Sequence, residues 1–494
     1  MLDALRIHPG DSVAVALRPL RAGETARGAG FSAAVREDIP AGHKLALRDI
    51  AEGELVVKYG CPIGRASRAI EAGEWAHTHN LASTLHGAGS YRYQPDYHEL
   101  PPGGDAFFSG YRRSDGRVGV RNELWIVPLV GCVNGVAREL ECRMARELPD
   151  GVDGVAAFQH SCGCSQLGDD LLRTQKLLRG LLLHPNAGGV LALGLGCENN
   201  RAADMEALLG AYDRSRLRFL LCQDCEDELA EGLAALRELA AGAAACRREP
   251  CSVKSLTVGL KCGGSDGFSG LTANPLVGSF ADWLLSRGGS AVLTEIPETF
   301  GAEELLLRRC RSEDVFRRAA PVMSGFREYF LRHGQPVDEN PSPGNREGGV
   351  TTLAEKSLGC VQKSGSAPLE DVLLYGEQVR VPGLSLLEGP GNDLVSSCAL
   401  AASGAQLILF TTGRGTPFAC PVPTLKLSSG SALAAQKRGW IDFDAGRLLT
   451  GASRGALTEE LAGLVLAAAS GEARAKSEAL DRSELAVFRD GVTL

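Results

Sequence analysis

The chain lacks most of the features that would narrow its function at once. Among its 494 residues no apolar run approaches the ~20 needed for a membrane helix. There is no basic surplus: 52 Lys and Arg against 60 Asp and Glu leave a net charge of −8, which opposes general nucleic-acid binding. A local cluster of Arg and Lys can still outweigh that sign for a small anionic substrate. The amino-terminal residues 1–8 do not have the basic-then-apolar layout of a secretory signal. No P-loop is present, and Gly194-Leu195-Gly196-Cys197-Glu198-Asn199 lacks the third glycine of a dinucleotide fingerprint, so a nucleotide cofactor is not indicated. Cys222-Gln223-Asp224-Cys225 is a lone CxxC without a second pair, which argues against structural zinc. The expectation is a cytoplasmic enzyme with no nucleic-acid or membrane partner. Its 15 cysteines, odd in number and scattered, read as reduced thiols. A homo-oligomer is left open.

What is present reads as a multidomain α/β chain. Residues 1–94 carry short β-type runs separated by Pro/Gly/Asp turns and read as a small all-β module. Residues 95–110, with Pro95, Pro101, Pro102, Gly103 and Gly104, read as a linker. From 111 to 250, and again from 251 to 494, apolar strands alternate with amphipathic helices, which predicts two α/β domains with mainly parallel sheets.

Polar and reactive residues recur where the predicted strands end: Gly131–Asn134, His160–Gln166, Gly194–Asn200, Lys261–Gly267, Thr294-Glu295, Gly389–Asp393 and Thr411–Gly415. Parallel strands would put these loops along one sheet edge, where ligands bind in open α/β folds. Cys132, Cys164, Cys197 and Cys262 each end such a strand. They read either as buried packing or as thiols able to hold an iron–sulfur cluster. In His77-Thr78-His79, a strand would turn both imidazoles to one side, suiting a divalent first-row metal such as iron(II). Two hydrogen-bonded histidines at a domain edge would look the same. Arg112, Arg113, Arg117 and Arg121 form a basic patch able to clamp a carboxylate, or a solvated turn.

Taken in order, several stretches resemble the altronate/galactarate dehydratase family from end to end. They are Gly42–Ile50, His77–Asn80, Gly119–Trp125, Cys164–Asp170, Gly194–Asn200, Gly263–Gly267, Asn340–Asn345, Gly389–Asp393 and Thr412–Thr416. The Glu123-Leu124-Trp125 and Gly131-Cys132-Val133-Asn134 segments look more like the altronate than the galactarate enzymes. The resemblance implies a β-clip module of the SAF type followed by two α/β domains. It implies a hydro-lyase converting D-altronate to 2-dehydro-3-deoxy-D-gluconate in hexuronate catabolism, with an Fe(II) requirement that Mn(II) can assist.

Such a dehydration takes a proton from C2 and expels the C3 hydroxyl. On that reading His77 and His79 bind the metal, with Glu198 or Cys262 as a further ligand. His160 is the favoured base or acid, because its unperturbed pKa lies nearest neutrality. Asp266 orients substrate or base. Arg117, Arg121, Asn122, Gly264, Ser265, Asn392 and Arg414 are the expected substrate contacts.

Overall fold

The computed structural model describes residues 2–85, 91–491 and 493. Residues 86–90, at the end of the expected all-β module, lie outside the described residues. That module is built of antiparallel strands of two to six residues. One pattern in it escapes a reading by hydrophobic runs. Leu20, Ile39, Ile50 and Ile70 each open a turn that ends in a glycine three residues later, and Gly23, Gly42, Gly53 and Gly73 all take φ between 80° and 91°. The four apolar residues pair as Leu20 with Ile39 and Ile50 with Ile70, and all are buried. Left-handed backbone at these corners is what glycine tolerates without a Cβ penalty.

The expected linker runs irregularly to Ala106 and then enters a strand, Phe107–Arg112, that pairs antiparallel with Glu249–Ser252. Between them lies a four-stranded parallel sheet of β1 (Glu123–Pro128), β2 (Gly154–Ala157), β3 (Ala187–Gly194) and β4 (Leu217–Leu221), in the order β2-β1-β3-β4. Every residue of β1 and β3 is buried, as expected for strands covered on both faces.

The larger sheet has seven parallel strands: β5 (Thr257–Cys262), β6 (Ser290–Leu293), β7 (Leu369–Leu373), β8 (Gly383–Leu387), β9 (Leu407–Thr412), β10 (Thr424–Ser428) and β11 (Phe443–Asp444). Their order is β7-β8-β6-β5-β9-β10-β11. On one side of β5 the sheet extends through β6, β8 and β7, the chain placing β7 at the edge before β8 fills the gap; from β9 it builds outward on the other side. The direction reverses between β5 and β9, and the crevice at that switch point is where open α/β sheets take ligands. Helix 273–285 packs on one face of this sheet and helix 393–402 on the other. Helix 168–182 of the smaller sheet crosses helix 393–402 at Gly180, where a Cβ would lie 2.2 Å from the Ala402 carbonyl oxygen. Among the described residues no helix is long and apolar enough to cross a membrane.

Candidate active site at the switch point of the larger sheet

The loop after β5 turns sharply at Gly264, with φ of 65°, and zips to the loop after β9. The Gly264 carbonyl accepts the Gly413 and Arg414 amides, both at 3.0 Å. Beneath this zipper lies an unusual density of buried charge. Lys261 Nζ donates to Glu295 and meets Asp393 at 3.0 Å. Lys363 Nζ donates to Glu295 at 3.0 Å. Lys356 Nζ donates to Glu298 at 2.7 Å, to Asn340 at 3.0 Å and to Asn345 at 3.3 Å. Burial disfavours all three ammonium groups, yet the carboxylates outweigh it and hold each lysine pKa above its ordinary value. By the same logic burial acts to raise the Glu298 pKa, and Lys356, Lys363 and Lys261 more than reverse it. Glu295 stands in left-handed backbone at φ 70°, a strain commonly kept at functional sites.

Glu298 Oε1 faces Lys356, while Oε2 accepts from Cys262 Sγ at 3.0 Å and from Cys360 Sγ at 3.2 Å. The two sulfurs are 3.5 Å apart. All three side chains are buried, and their donor atoms lie within 4.8 Å of one another. They come from the end of β5, a 3-10 turn after β6 and helix 353–360. Alongside, the buried Ser265 Oγ has no hydrogen-bond partner, and the Ser265 carbonyl accepts from Asn345 at 2.8 Å.

The β module docks on this region. Gly267 and Gly349 lie against the Gly42 carbonyl oxygen, where a Cβ would come to 1.9 Å and 2.4 Å. Lys44 and Lys58 of the module reach in to one carboxylate, Glu355, at 2.8 Å and 2.7 Å, with all three side chains almost fully buried. His43 Nε2 bonds the Glu347 carbonyl at 3.0 Å and His77 Nδ1 bonds Thr351 Oγ1 at 3.0 Å.

The residues expected from the sequence distribute unevenly over this geometry. Cys262, Gly264, Ser265, Asn392 and Arg414 gather at the carboxyl ends of β5, β8 and β9. Arg414 is exposed and pairs with Glu347 at 3.0 Å. Asn392 caps helix 393–402 through the Leu394 and Val395 amides. Asp266 is a loop organiser: its carboxylate accepts from the amides of Phe268 and Ser269 and from the hydroxyls of Ser269 and Ser429. Burial nonetheless pushes its pKa up.

Other expectations need correction. The strand that was to align His77 and His79 ends at Ala76, and residues 77–80 form a turn. His77 instead stacks on Trp75, and burial, Lys44 and His43 drop its pKa to about 3, while the exposed His79 meets the Trp75 edge. His160 belongs to the smaller sheet, and both of its ring nitrogens are engaged by main chain, Nε2 with the Pro128 carbonyl at 2.8 Å and Nδ1 with the Cys162 amide at 3.1 Å. That leaves it no nitrogen free for proton transfer. Glu198 holds its own loop through the Leu195 and Gly196 amides, far in the topology from Cys262. Arg121 is buried in a two-pronged pair with Glu478, and Asn122 is saturated by Arg113, Gly151 and Ala243. Arg117 pairs with Asp115 beside Arg216, at the amino-terminal edge of the smaller sheet. Neither Arg121, Asn122 nor Arg117 faces the switch point.

Sequence comparison matches the whole of this architecture. Residues 2–84 match the altronate/galactarate dehydratase SAF domain, and 110–244 the D-galactarate dehydratase/altronate hydrolase second domain. Residues 253–493 match the D-galactarate/altronate dehydratase C-terminal domain. The chain belongs to the altronate/galactarate dehydratase family. Within that family it is 48% identical, over the full length of both chains, to altronate dehydratases of Escherichia coli and Bacillus subtilis. It is 33% identical to the L-threo-forming galactarate dehydratase of E. coli, over 90% of this chain and 88% of that one.

The resemblance to dehydratases implies a metal, and the buried Cys262–Glu298–Cys360 group could hold one. Thiolates about 2.3 Å from a tetrahedral ion stand about 3.8 Å apart, close to the 3.5 Å seen here. Two sulfurs and a carboxylate oxygen form a donor set suited to a borderline-soft first-row ion. Glu298 and Cys360 had no sequence signal: Cys360 lies 98 residues beyond Cys262, on a helix with no local motif.

Proposed function

We propose that this chain removes water from D-altronate, forming 2-dehydro-3-deoxy-D-gluconate in cytoplasmic hexuronate catabolism. Fe(II), with Mn(II) able to assist, would be held by Cys262, Glu298 and Cys360. The observation that carries the substrate assignment is the end-to-end 48% identity to two altronate dehydratases, set against 33% to the galactarate enzyme.

A divalent ion held by Cys262, Glu298 and Cys360 would supply Lewis acidity to the reaction. The chain's own groups supply the rest. Lys261, Lys356 and Lys363 keep buried positive charge at these strand ends, where it would favour the negative charge that develops as the C2 proton leaves. Lys356 lies against Glu298 and is the donor best placed to assist departure of the C3 hydroxyl. The unpartnered Ser265 hydroxyl and the Gly264 turn face the sugar chain, and Arg414 and Asn392 sit at the rim. The β module closes the site through Gly42 and Lys44, keeping water from the reacting face.

Product analysis on a panel of aldonates and aldarates, with and without iron(II), tests this reading. The expected result is iron-dependent formation of the 2-keto-3-deoxy acid from altronate at least tenfold faster than from galactarate. Faster turnover of galactarate would overturn the substrate assignment. A thermal shift with altronate but no product would point to a binding protein.

A further inference from the structure

Three thiols of the smaller sheet lie outside the site above. Cys132 follows β1, Cys164 follows β2 and Cys197 follows β3, and all three are free and exposed. The order β2-β1-β3-β4 makes a second switch point, between β1 and β3, with its own crevice at the strand ends. The three loops are bound into one unit. The Gly131 amide donates to the Cys162 carbonyl at 2.9 Å, and the Asn200 amide to the Gly163 carbonyl at 2.9 Å. The Ser165 amide donates to Asn199 Oδ1 at 2.7 Å. A Cβ on Gly163 would lie 2.1 Å from the Leu129 carbonyl oxygen, and one on Gly131 2.7 Å from that of His160, so the loops approach as only glycine allows. Ser165, next to Cys164, is held at φ 55°.

Cys132, Cys164 and Cys197 each lie within five residues of the start of a helix: 134–144, 168–182 and 202–209 respectively. The positive ends of those helices face the loops. Gln223 Nε2 donates to Cys197 Sγ at 3.6 Å, and Ser165 Oγ lies 3.8 Å from Cys164 Sγ. Polar contacts to sulfur are a known means of tuning metal–thiolate centres. The buried Asn200 Oδ1 and Gln166 Nε2, in the same loops, have no partner. Cys132 and Cys164 line an open cleft of about 590 Å³ together with Asn134. A single ion suits this arrangement poorly. Among the described residues, the donor group gathered within 4.8 Å is Cys262–Glu298–Cys360, so these three thiols are spread more widely. A cluster spaces its cysteine ligands more widely than one ion does.

We infer that Cys132, Cys164 and Cys197 hold an iron–sulfur cluster of the cubane type at this second switch point, its fourth iron left to a non-cysteine ligand. Each thiol loses its proton as it binds iron. The assignment stands apart from the altronate reading, because cluster binding is read without turnover.

The test is anaerobic reconstitution of the full chain with iron salts and sulfide, followed by desalting. Assays for iron and acid-labile sulfide, and the visible spectrum, are then read. The expected result is about four sulfides per chain with charge-transfer absorption in the visible. C132S/C164S/C197S, checked for fold by circular dichroism, should retain under a tenth of that sulfide, and C222S/C225S all of it. C262S/C360S should keep the sulfide as well, which separates this site from the other. Should the triple variant not fold, iodoacetamide labelling of the wild-type chain decides. All three thiols should label before reconstitution and be protected after it. No labile sulfide, sulfide without the absorption bands, retention in the folded triple variant or unprotected thiols would each overturn the assignment.

Discussion

Glu298 divides its two oxygens between unlike partners, and that division decides what its loss should do. One oxygen balances Lys356; the other faces two sulfurs. Glu298→Gln keeps the shape but removes the charge that offsets a buried ammonium. Bound metal, measured by elemental analysis after dialysis, should fall at least ~10-fold, with activity falling alongside. Unchanged metal content in the folded variant would remove Glu298 from the ligand set. His160 gives the opposite expectation. Its ring bonds one main-chain carbonyl and one amide, so His160→Ala should cost about 1–3 kcal/mol of stability in denaturant titration. Exchange of the C2 proton for deuterium, per folded molecule, should persist. The sequence offered His160 because a histidine at a strand end looks like a general base. Whether a ring nitrogen is free depends on main chain 32 residues away, at Pro128.

Among elements, the turn at Gly42, helix 353–360 and the loop after β5 form one clasp. Glu355 stands between Lys44 and Lys58. Burial tends to raise its pKa, but the two lysines bring it down from 4.5 to about 2. Its folded pKa lies below the unfolded value, so this contribution to stability is complete above pH 4.5. It is lost progressively as the pH falls through about 2. Glu355→Gln leaves two buried ammonium groups uncompensated and should cost about 3–5 kcal/mol at neutral pH. The decline in stability between pH 4.5 and 2 should also be shallower in the variant than in wild type, by the share that Glu355 contributes. Gly267→Ala forces a methyl group to 1.9 Å from the Gly42 oxygen, which only separation of the two surfaces can relieve. Limited proteolysis should then cleave between the module and the body faster than in wild type, with activity lost in step. Equal proteolysis rates would mean that the clasp tolerates the change.

For the molecule as a whole, two doubly wound sheets each present a switch-point crevice, and the β module covers that of the larger one. His77→Ala/His79→Ala measures how far the module contributes beyond cover. Iron-activated turnover should survive in the folded double variant, because neither ring belongs to the Cys262–Glu298–Cys360 group. Loss of iron dependence would return the histidines to the metal shell.

The alternation of apolar strands and amphipathic helices was enough to expect parallel sheets with reactive loops at their ends, since periodicity and turn chemistry are local. The same local information located the Gly263–Gly267 loop and Arg414 near one another, through strand ends alone. It missed β7, β10 and helix 353–360. Glu355, Lys356 and Lys363 carry no local signal, because each charge's partner lies far along the chain. What the sequence determined by itself was the order of elements and the loops able to carry chemistry. Which loops share a crevice was decided by the strand order, β5 beside β9 and β1 beside β3, which packing selects and no local pattern encodes. The tertiary structure alone brought Cys262, Glu298 and Cys360 together and tied up His160, because burial penalises an unpaired charge or ring nitrogen and the partners come from distant segments of the chain.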